Sequence, residues 1–245
     1  MRKLMMVLGI LMLVSSSAMA DEAVSLKVGY MNLSPSGQFA GTVNGVGTRF
    51  DVGKDLGLDN SQNVVAEAAL LLGDFELSAA YLPLRFSGVG TVTGSFGGQT
   101  FAGTVTTDLN AEVYDFGLTY FLVNMDDLPS RFQLGIEVAV KYIQFDSTMA
   151  DAVNTGTVSQ NVPLPTIGAR MRVALADFVG VTGRVGYLGF RGNQFLDAEA
   201  QLEFSPIPAL GIYGGYRYID LKVDEFGVFA DTKFQGPFVG AFFRF

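Results

Sequence analysis

Gly236-Pro-Phe-Val-Gly-Ala-Phe-Phe-Arg-Phe245, the last ten residues, decides how the rest of the chain is read. Counted in twos from the end, Phe245, Phe243, Ala241, Val239 and Pro237 form an uninterrupted apolar row. Arg244, Phe242, Gly240, Phe238 and Gly236 form the other row, which carries the charge and the glycines. Side chains of a strand alternate between faces, so a period of two predicts a β-strand with one apolar and one mixed face. No turn signal follows, and the chain is expected to stop inside a sheet.

The other end reads as an export signal. Arg2 and Lys3 supply a charged start, Met5 to Val14 an apolar run, and Ala18-Met19-Ala20 a small-x-small cleavage site. That run is too short to cross a bilayer as a helix, and no later stretch approaches the ~20 apolar residues a membrane helix needs. Yet 49% of residues are hydrophobic and mean hydropathy is +0.33, both high for an exported soluble protein. A closed β-barrel resolves the conflict, because it turns an apolar surface to lipid while every backbone group stays paired. Residues 21–245 are therefore expected to form one barrel domain behind a signal peptide at 1–20. Without Arg2 and Lys3, 14 of the 16 basic residues remain against 24 acidic ones, which argues against nucleic acid as a partner. The chain has no cysteine, so neither a disulfide nor a lipidated thiol supports it.

Alternation places ten strands: Val24 to Leu33, Val64 to Leu72, Phe75 to Phe86, Ala111 to Val123, Arg131 to Phe145, Pro163 to Leu175, Val179 to Phe190, Phe195 to Phe204, Leu210 to Leu221 and Phe234 to Phe245. Pro83 is expected to disturb the third, as proline does at edges and bulges. The odd connections, at 34–63, 87–110, 146–162 and 222–233, read as long loops, 191–194 being the short exception. The stretch 87–110 is Gly/Thr-rich without a wide apolar face, so it reads as a loop or a protruding hairpin. The even connections, at 73–74, 124–130, 176–178 and 205–208, are short. Eight strands follow if two weak ones merge. Twelve follow if Val89–Thr93 and Phe101–Thr106 each reach the membrane. A soluble β-sandwich would bury its apolar rows. Here those rows carry no charge while the opposing ones carry charges of both signs, which a sandwich core could hold only at a high desolvation cost.

Gly240, Phe243 and Phe245 resemble the terminal signal of bacterial outer-membrane β-barrels, Gly-x-x-Φ-x-Φ ending on an aromatic residue. Phe238 stands where a polar residue often precedes that glycine. With the signal peptide and the alternation, the chain resembles the small outer-membrane barrels in general, the OmpA membrane domain, OmpX and OmpW types among them. The resemblance implies an up-and-down antiparallel barrel integral to the outer membrane, both termini periplasmic. It also implies handling by the barrel-assembly machinery through the last strand, and contact with outer-membrane lipid and lipopolysaccharide.

The rows facing away from lipid carry Glu67, Glu76, Asp115, Glu137, Asp197, Glu199 and Glu203 against Lys27, Lys141, Arg170, Arg172, Arg184, Arg217 and Arg244. One reading is a salt-bridged core that fills a narrow lumen, since barrels of about eight strands are just filled by side chains. The other is a small pore in which Arg170, Arg172 and Arg184 face Asp197, Glu199 and Glu203 across a thread of water. Enzymes of this barrel class pair a histidine with serine or aspartate, and this chain has no histidine. Asp197 and Glu199, two apart on one face, are the remaining acid–base pair to consider, and charge balance explains them without catalysis. No cofactor is expected. The acidic loop residues lack metal-ligand spacing such as D-x-D-x-D-G, and solvated charge accounts for them. Lys222 and Lys233 stand where lipid phosphates would meet them. Phe50-Asp-Val-Gly-Lys-Asp-Leu-Gly-Leu58 is the one loop stretch with an apolar pattern, and it is expected to pack over the barrel mouth.

Overall fold

A computed structural model describes residues 23–42, 47–125, 132–176, 178–207, 209–225 and 228–245. The signal peptide at 1–20, Arg131 and much of the turn at 124–130 lie outside the described residues, as do Asp177, Pro208 and the pair 226–227.

Every element is a strand: β1 (Val24–Gly41), β2 (Phe50–Asp51), β3 (Ser61–Leu72), β4 (Phe75–Phe96), β5 (Gln99–Met125), β6 (Phe132–Ala150), β7 (Thr155–Ala176), β8 (Val179–Phe190), β9 (Asn193–Ile207), β10 (Leu210–Glu225) and β11 (Val228–Arg244). Apart from the two-residue β2, each pairs antiparallel with its chain neighbours, and β11 pairs with β1, for example Phe243 opposite Leu26. Ten strands thus close an up-and-down barrel, and no sheet edge faces lipid. Backbone bonds between Val24 and Phe245 complete the seam at the chain ends.

Outside, the wall is apolar. Phe116, Val138, Ile167 and Val239 are each more than half exposed, which a soluble protein would not tolerate as a continuous band. Aromatic rows bound the band on both sides. The Phe75 and Tyr120 rings meet at a tilt, centroids 4.9 Å apart, near the short turns, while Tyr81, Tyr114 and Tyr142 lie side by side on β4, β5 and β6 at the other limit. From Phe132 to Tyr142 is about ten residues of β6 and roughly 25 Å of height at the usual tilt, the thickness of an outer-membrane apolar band. The rule that periplasmic turns are short puts the termini on the periplasmic side.

The strands run far beyond that band. β5 has 27 residues, against the ~9–11 a tilted strand needs to cross. The stretches expected as long loops are mostly strand: 87–110 is the upper β4–β5 hairpin, 146–162 continues β6 and β7 across a turn at 151–154, and 222–233 continues β10 and β11. These stretches are polar outward and apolar inward, with glycine interrupting the inward row, so the alternation is hard to see. Val89–Thr93 and Phe101–Thr106 belong to this extension, and the count of ten strands stands. Pro83 leaves the β4–β5 register unbroken and marks instead the point where the outward row is buried and the β3 pairing ends. Leu82, Pro83 and Leu84 are all buried, and β4 stays paired to β5 while its pairing with β3 ends at Tyr81.

Candidate functional site

The lumen is built in two layers, and the lower one is ionic. Every inward strand position near the periplasmic end delivers a side chain toward the barrel axis, where charges from distant strands meet. Arg170 on β7 reaches across to Glu76 at 2.7 Å and Glu67 at 3.5 Å, and its Nε donates to Glu137 at 3.1 Å. Arg184 on β8 contacts Asp115 at 2.8 Å and donates to Glu137 at 2.7 Å. Lys141 on β6 donates to Asp115 and lies 2.9 Å from Asp197. Arg217 on β10 grips Asp197 with both Nε (2.9 Å) and Nη2 (2.6 Å), and contacts Glu199 at 3.3 Å. Nearest the periplasm, Arg244 donates to Glu203, which Lys27 and Arg172 approach at 3.6 and 3.9 Å.

All fourteen charged residues read from the sequence as inward are brought together here. The expected pairing is not what forms. Arg170 and Arg184 meet Glu67, Glu76, Asp115 and Glu137, while Asp197, Glu199 and Glu203 are met mainly by Arg217, Lys141, Lys27 and Arg244. Arg172 alone of the three arginines reaches that second row directly. Some contacts follow the ladder, Lys141 with Asp115, Arg217 with Glu199 and Lys27 with Glu67 being directly opposed on neighbouring strands, while Arg170 also reaches β3 and β4 and Arg184 reaches β5 and β6 because a long side chain in a narrow barrel projects toward the axis. Glu137 and Lys141 are each 1% exposed. Charges so deeply buried persist only when paired, and removing one member of such a pair costs ~3–5 kcal/mol. Asp197, held by a bidentate arginine and a lysine, is a poor candidate for moving protons. Below the network a cavity of about 60 Å³ opens at the chain ends, lined by Lys27, Glu67, Glu76, Arg170, Arg172, Glu203 and Arg244 among others, with room for a few waters.

The upper layer is apolar. Phe39 on β1 packs against Phe96 and Phe145 at 5.7 and 5.6 Å, and Phe86 on β4 stacks on Phe234 of β11 at 5.1 Å. Leu33, Leu82, Leu84, Val105 and Met149 fill the space between. The segment 50–58 packs inside this mouth with Phe50, Val52, Leu56 and Leu58 buried. Asp51 shapes it, its Oδ1 accepting the N–H groups of Gly53 (3.0 Å) and Lys54 (2.8 Å). On the wall behind, glycine is obligatory. A Cβ on Gly90 would stand 1.8 Å from the Asp55 carbonyl oxygen, and one on Gly88 2.3 Å from that of Gly57. Among these, only the apolar pattern of Phe50 to Leu58 points from the sequence to the barrel mouth, and the segment packs inside the mouth and not over it. Phe238 and Phe242, buried on the inward row of the last strand, lie lower in the barrel, Phe242 opposite Lys27 with the Arg244 guanidinium 4.1 Å from its ring.

Gly240 also has a local reason. The Tyr213 ring lies across it and Gly29, so a Cβ on either would fall within 2.6 Å of that ring or its hydroxyl. Phe243 is 43% exposed on the lipid side, and its ring meets that of Phe245 at 5.2 Å.

A closed wall of paired strands, an apolar belt between aromatic rows and a polar inner row together have one home. The chain is an integral outer-membrane β-barrel. No protein-family model matches it, and no curated protein does. Solved barrels resemble it loosely. Ail, the attachment invasion locus protein of Yersinia pestis, is 12% identical, with 92% of this chain and 100% of that one covered and a TM-score of 0.38. Neisserial surface protein A is 10% identical, covering 92% and 98%, at 0.38. The translocator domain of the autotransporter NalP from Neisseria meningitidis is 9% identical, covering 100% and 96%, at 0.41. At such scores no function passes from them to this chain.

Proposed function

We propose that this protein is a closed, non-enzymatic outer-membrane barrel whose role is structural or one of surface interaction, and that its lumen conducts neither solutes nor ions to any useful extent. The observation that carries the reading is the two-layer filling of the lumen. Buried salt bridges occupy the periplasmic part and an apolar core, sealed by Phe50 to Leu58, occupies the outer part. Water and ions entering through the cavity beside Arg172 and Glu203 would have to pass the paired charges and then a packed, mainly apolar layer in which Thr107, Ser147 and Thr232 are buried. What the barrel offers the outside is a rigid, well-packed β unit standing above the membrane.

The chemistry of an enzyme is missing where it would be needed. The chain has no histidine, and its lumen carboxylates are committed to arginine and lysine. The terminal strand, with Gly240, Phe243 and Phe245, is the segment the barrel-assembly machinery would read. Outer-membrane lipid and lipopolysaccharide are the partners that surround the wall.

Single-channel recording in planar bilayers tests the reading. The wild-type protein is expected to give no steps above noise. Replacing residues 50–58 by a Gly/Ser linker should still give none, because the ionic layer remains beneath. Steady conductance of the wild-type protein, selective for either sign, overturns the closed barrel in favour of a narrow pore.

A further inference from the structure

The strand pairs of the wall have unequal help in finding their register. β10 and β11 form a hairpin, with Glu225 opposite Val228 beside its turn, and a turn fixes the register of the strands it joins. β1 and β11 come from opposite ends of the chain and no turn joins them. Their outward rows cannot choose a register either. Leu26, Val28 and Tyr30 face Phe243, Ala241 and Val239, so a slip of two residues still sets apolar against apolar in lipid. A slip of one residue would turn the charged row to lipid, and only even slips compete. The charged inward side chains are poor guides. Lys27 lies 3.6 Å from Glu203 and 4.0 Å from Glu67 at the end of a flexible stem, which adapts to more than one register.

The inward row of β1 runs Ser25, Lys27, Gly29, Met31, Leu33 and holds a single glycine. Gly29 stands directly opposite Gly240 of β11, and Gly240 directly opposite Tyr213 of β10. The three make one row across the seam. The buried Tyr213 ring crosses both glycines, so that a Cβ on Gly29 would fall 2.5 Å from its hydroxyl oxygen and one on Gly240 2.6 Å from it. The hairpin holds the ring in place. Phe238 stands opposite Gly215 and 6.0 Å from the Tyr213 ring, and Phe242 stands opposite Gly211. Ring thus meets glycine at three successive inward pairs of β10 and β11, with the strand that supplies the ring alternating. A ring fixed in this way is a gauge for whatever β1 brings beside it. A slip of two residues sets Lys27 or Met31 against Gly240, and the first carbon of that side chain would start where the Tyr213 hydroxyl lies. We infer that Tyr213 sets the register of the closing seam within the membrane, Gly29 being the residue of β1 that it admits.

The chain has no cysteine, so introduced pairs report register directly. Opposed Cβ atoms lie ~4.5–5.5 Å apart and diagonal ones ~7–8 Å, and only the opposed distance suits a disulfide. Val28→Cys with Ala241→Cys reports the native seam. Val28→Cys with Val239→Cys, and Tyr30→Cys with Ala241→Cys, report slips of two residues in the two directions. With Tyr213 present, the folded protein should form the first bond and neither of the others. Adding Tyr213→Ala should raise the slipped bonds about tenfold in the fraction that still shows heat-modifiable migration, the scale on which relief of an overpacked contact shifts an equilibrium. Phe121→Ala, which removes a buried ring of β5, should leave the seam in its native register. A purely native bond in folded Tyr213→Ala protein, or equal slippage with Phe121→Ala, overturns the inference. Should Tyr213→Ala leave no folded fraction, Gly29→Ala decides. Its methyl meets the tyrosine hydroxyl and should block folding, while Tyr213→Phe leaves the nearest ring carbon at 3.3 Å and should restore folded protein with the native bond. No recovery in Gly29→Ala with Tyr213→Phe overturns the inference.

Discussion

Below the tyrosine row the barrel is apolar outside and ionic inside; above it, the same strands are polar outside and apolar inside. β5 makes the change within itself. In its lower part Phe116 and Leu118 face lipid while Asp115 and Thr119 are buried. In its upper part Thr104 and Thr106 face outward while Phe101 and Val105 are buried. The alternation never slips; only its meaning reverses, because the medium outside changes from lipid to water. A buried core must differ from its surroundings to be driven inward, and only the upper half has water to drive it. In the lower half that driving force is weaker, and charge pairing fills the lumen together with a few buried aromatic rings, Phe121, Tyr213 and Phe242 among them.

The sharpest way to break this comparison is to put charge on the outer face of each half. Phe243→Asp with Phe245→Asp places two carboxylates at the lipid-facing end of the terminal strand. Charge there costs up to ~2–4 kcal/mol each at mid-membrane and less near the interface, and it also strikes the resemblance to the assembly signal. Export should continue while folded protein in the outer membrane falls to background. Thr104→Asp with Thr106→Asp, on the same kind of outward row above the belt, should assemble normally. Failure of both pairs would mean that the upper rows also meet lipid.

The next effect lies in the ionic layer. Glu137 answers Arg170 and Arg184 and accepts from Thr119 at 3.3 Å. Glu137→Ala leaves two buried guanidinium groups short of a partner and should cost ~3–5 kcal/mol, less whatever lumen water recovers. A drop in the urea midpoint with conductance near noise supports the plug. A stable variant that conducts anions would show the layer to be hydrated, and the pore reading would replace it. Arg172→Ala, at 34% exposure and 3.9 Å from Glu203, should change stability far less than Glu137→Ala.

The apolar layer should respond somewhat more mildly, because a segment can shift where a strand cannot. Leu56→Ala is expected to lose ~2–3 kcal/mol, the low end for a buried leucine. Gly90→Val forces the segment off the wall and should expose its backbone amides to hydrogen exchange without opening the ionic layer. Protected amides at 51–58 in that variant would contradict the packing.

The sequence showed the lower half far better than the upper. Rows such as Tyr114, Phe116, Leu118 and Tyr120 are long, aromatic and uninterrupted, so face, register and ten-strand count could be read directly. The ionic residues followed as the opposing rows, and strand register alone sets Lys141 against Asp115 and Arg217 against Glu199, but the longer reaches of Arg170 and Arg184 depend on curvature that a sequence pattern does not contain. In the upper half the inward row of β4 reads Phe86, Gly88, Gly90, Val92, Gly94, Phe96. Half of it is glycine because a second layer of backbone presses there, and the row lost its apolar signal for that reason. The core is completed from the segment 50–58 and from β1, far away in sequence, so no local window displays it.

The smallest expected effect concerns charge on the outer surface, as opposed to charge in the lumen. At the β6–β7 turn the Asp151 carboxylate accepts the N–H groups of Val153 at 2.8 Å and Asn154 at 2.6 Å. These bonds favour the ionised form, holding the carboxyl below the usual aspartate range. Because the folded value is depressed, the turn gains stability above the unfolded value, near pH 4, and loses it as pH falls through the folded value. The group is fully exposed, so the effect should be local. From pH 5 to pH 3, a window about the ordinary aspartate value of ~3.9, amides at 151–155 should lose protection relative to their intrinsic exchange rates while the global midpoint hardly moves. Asp151→Asn should show the same protection at both pH values, since an amide oxygen accepts the same bonds without titrating. If acid instead loosened the whole upper half along with this turn, a surface carboxylate would be coupled to the apolar core. The separation between a solvated outer face and a dry interior would then fail.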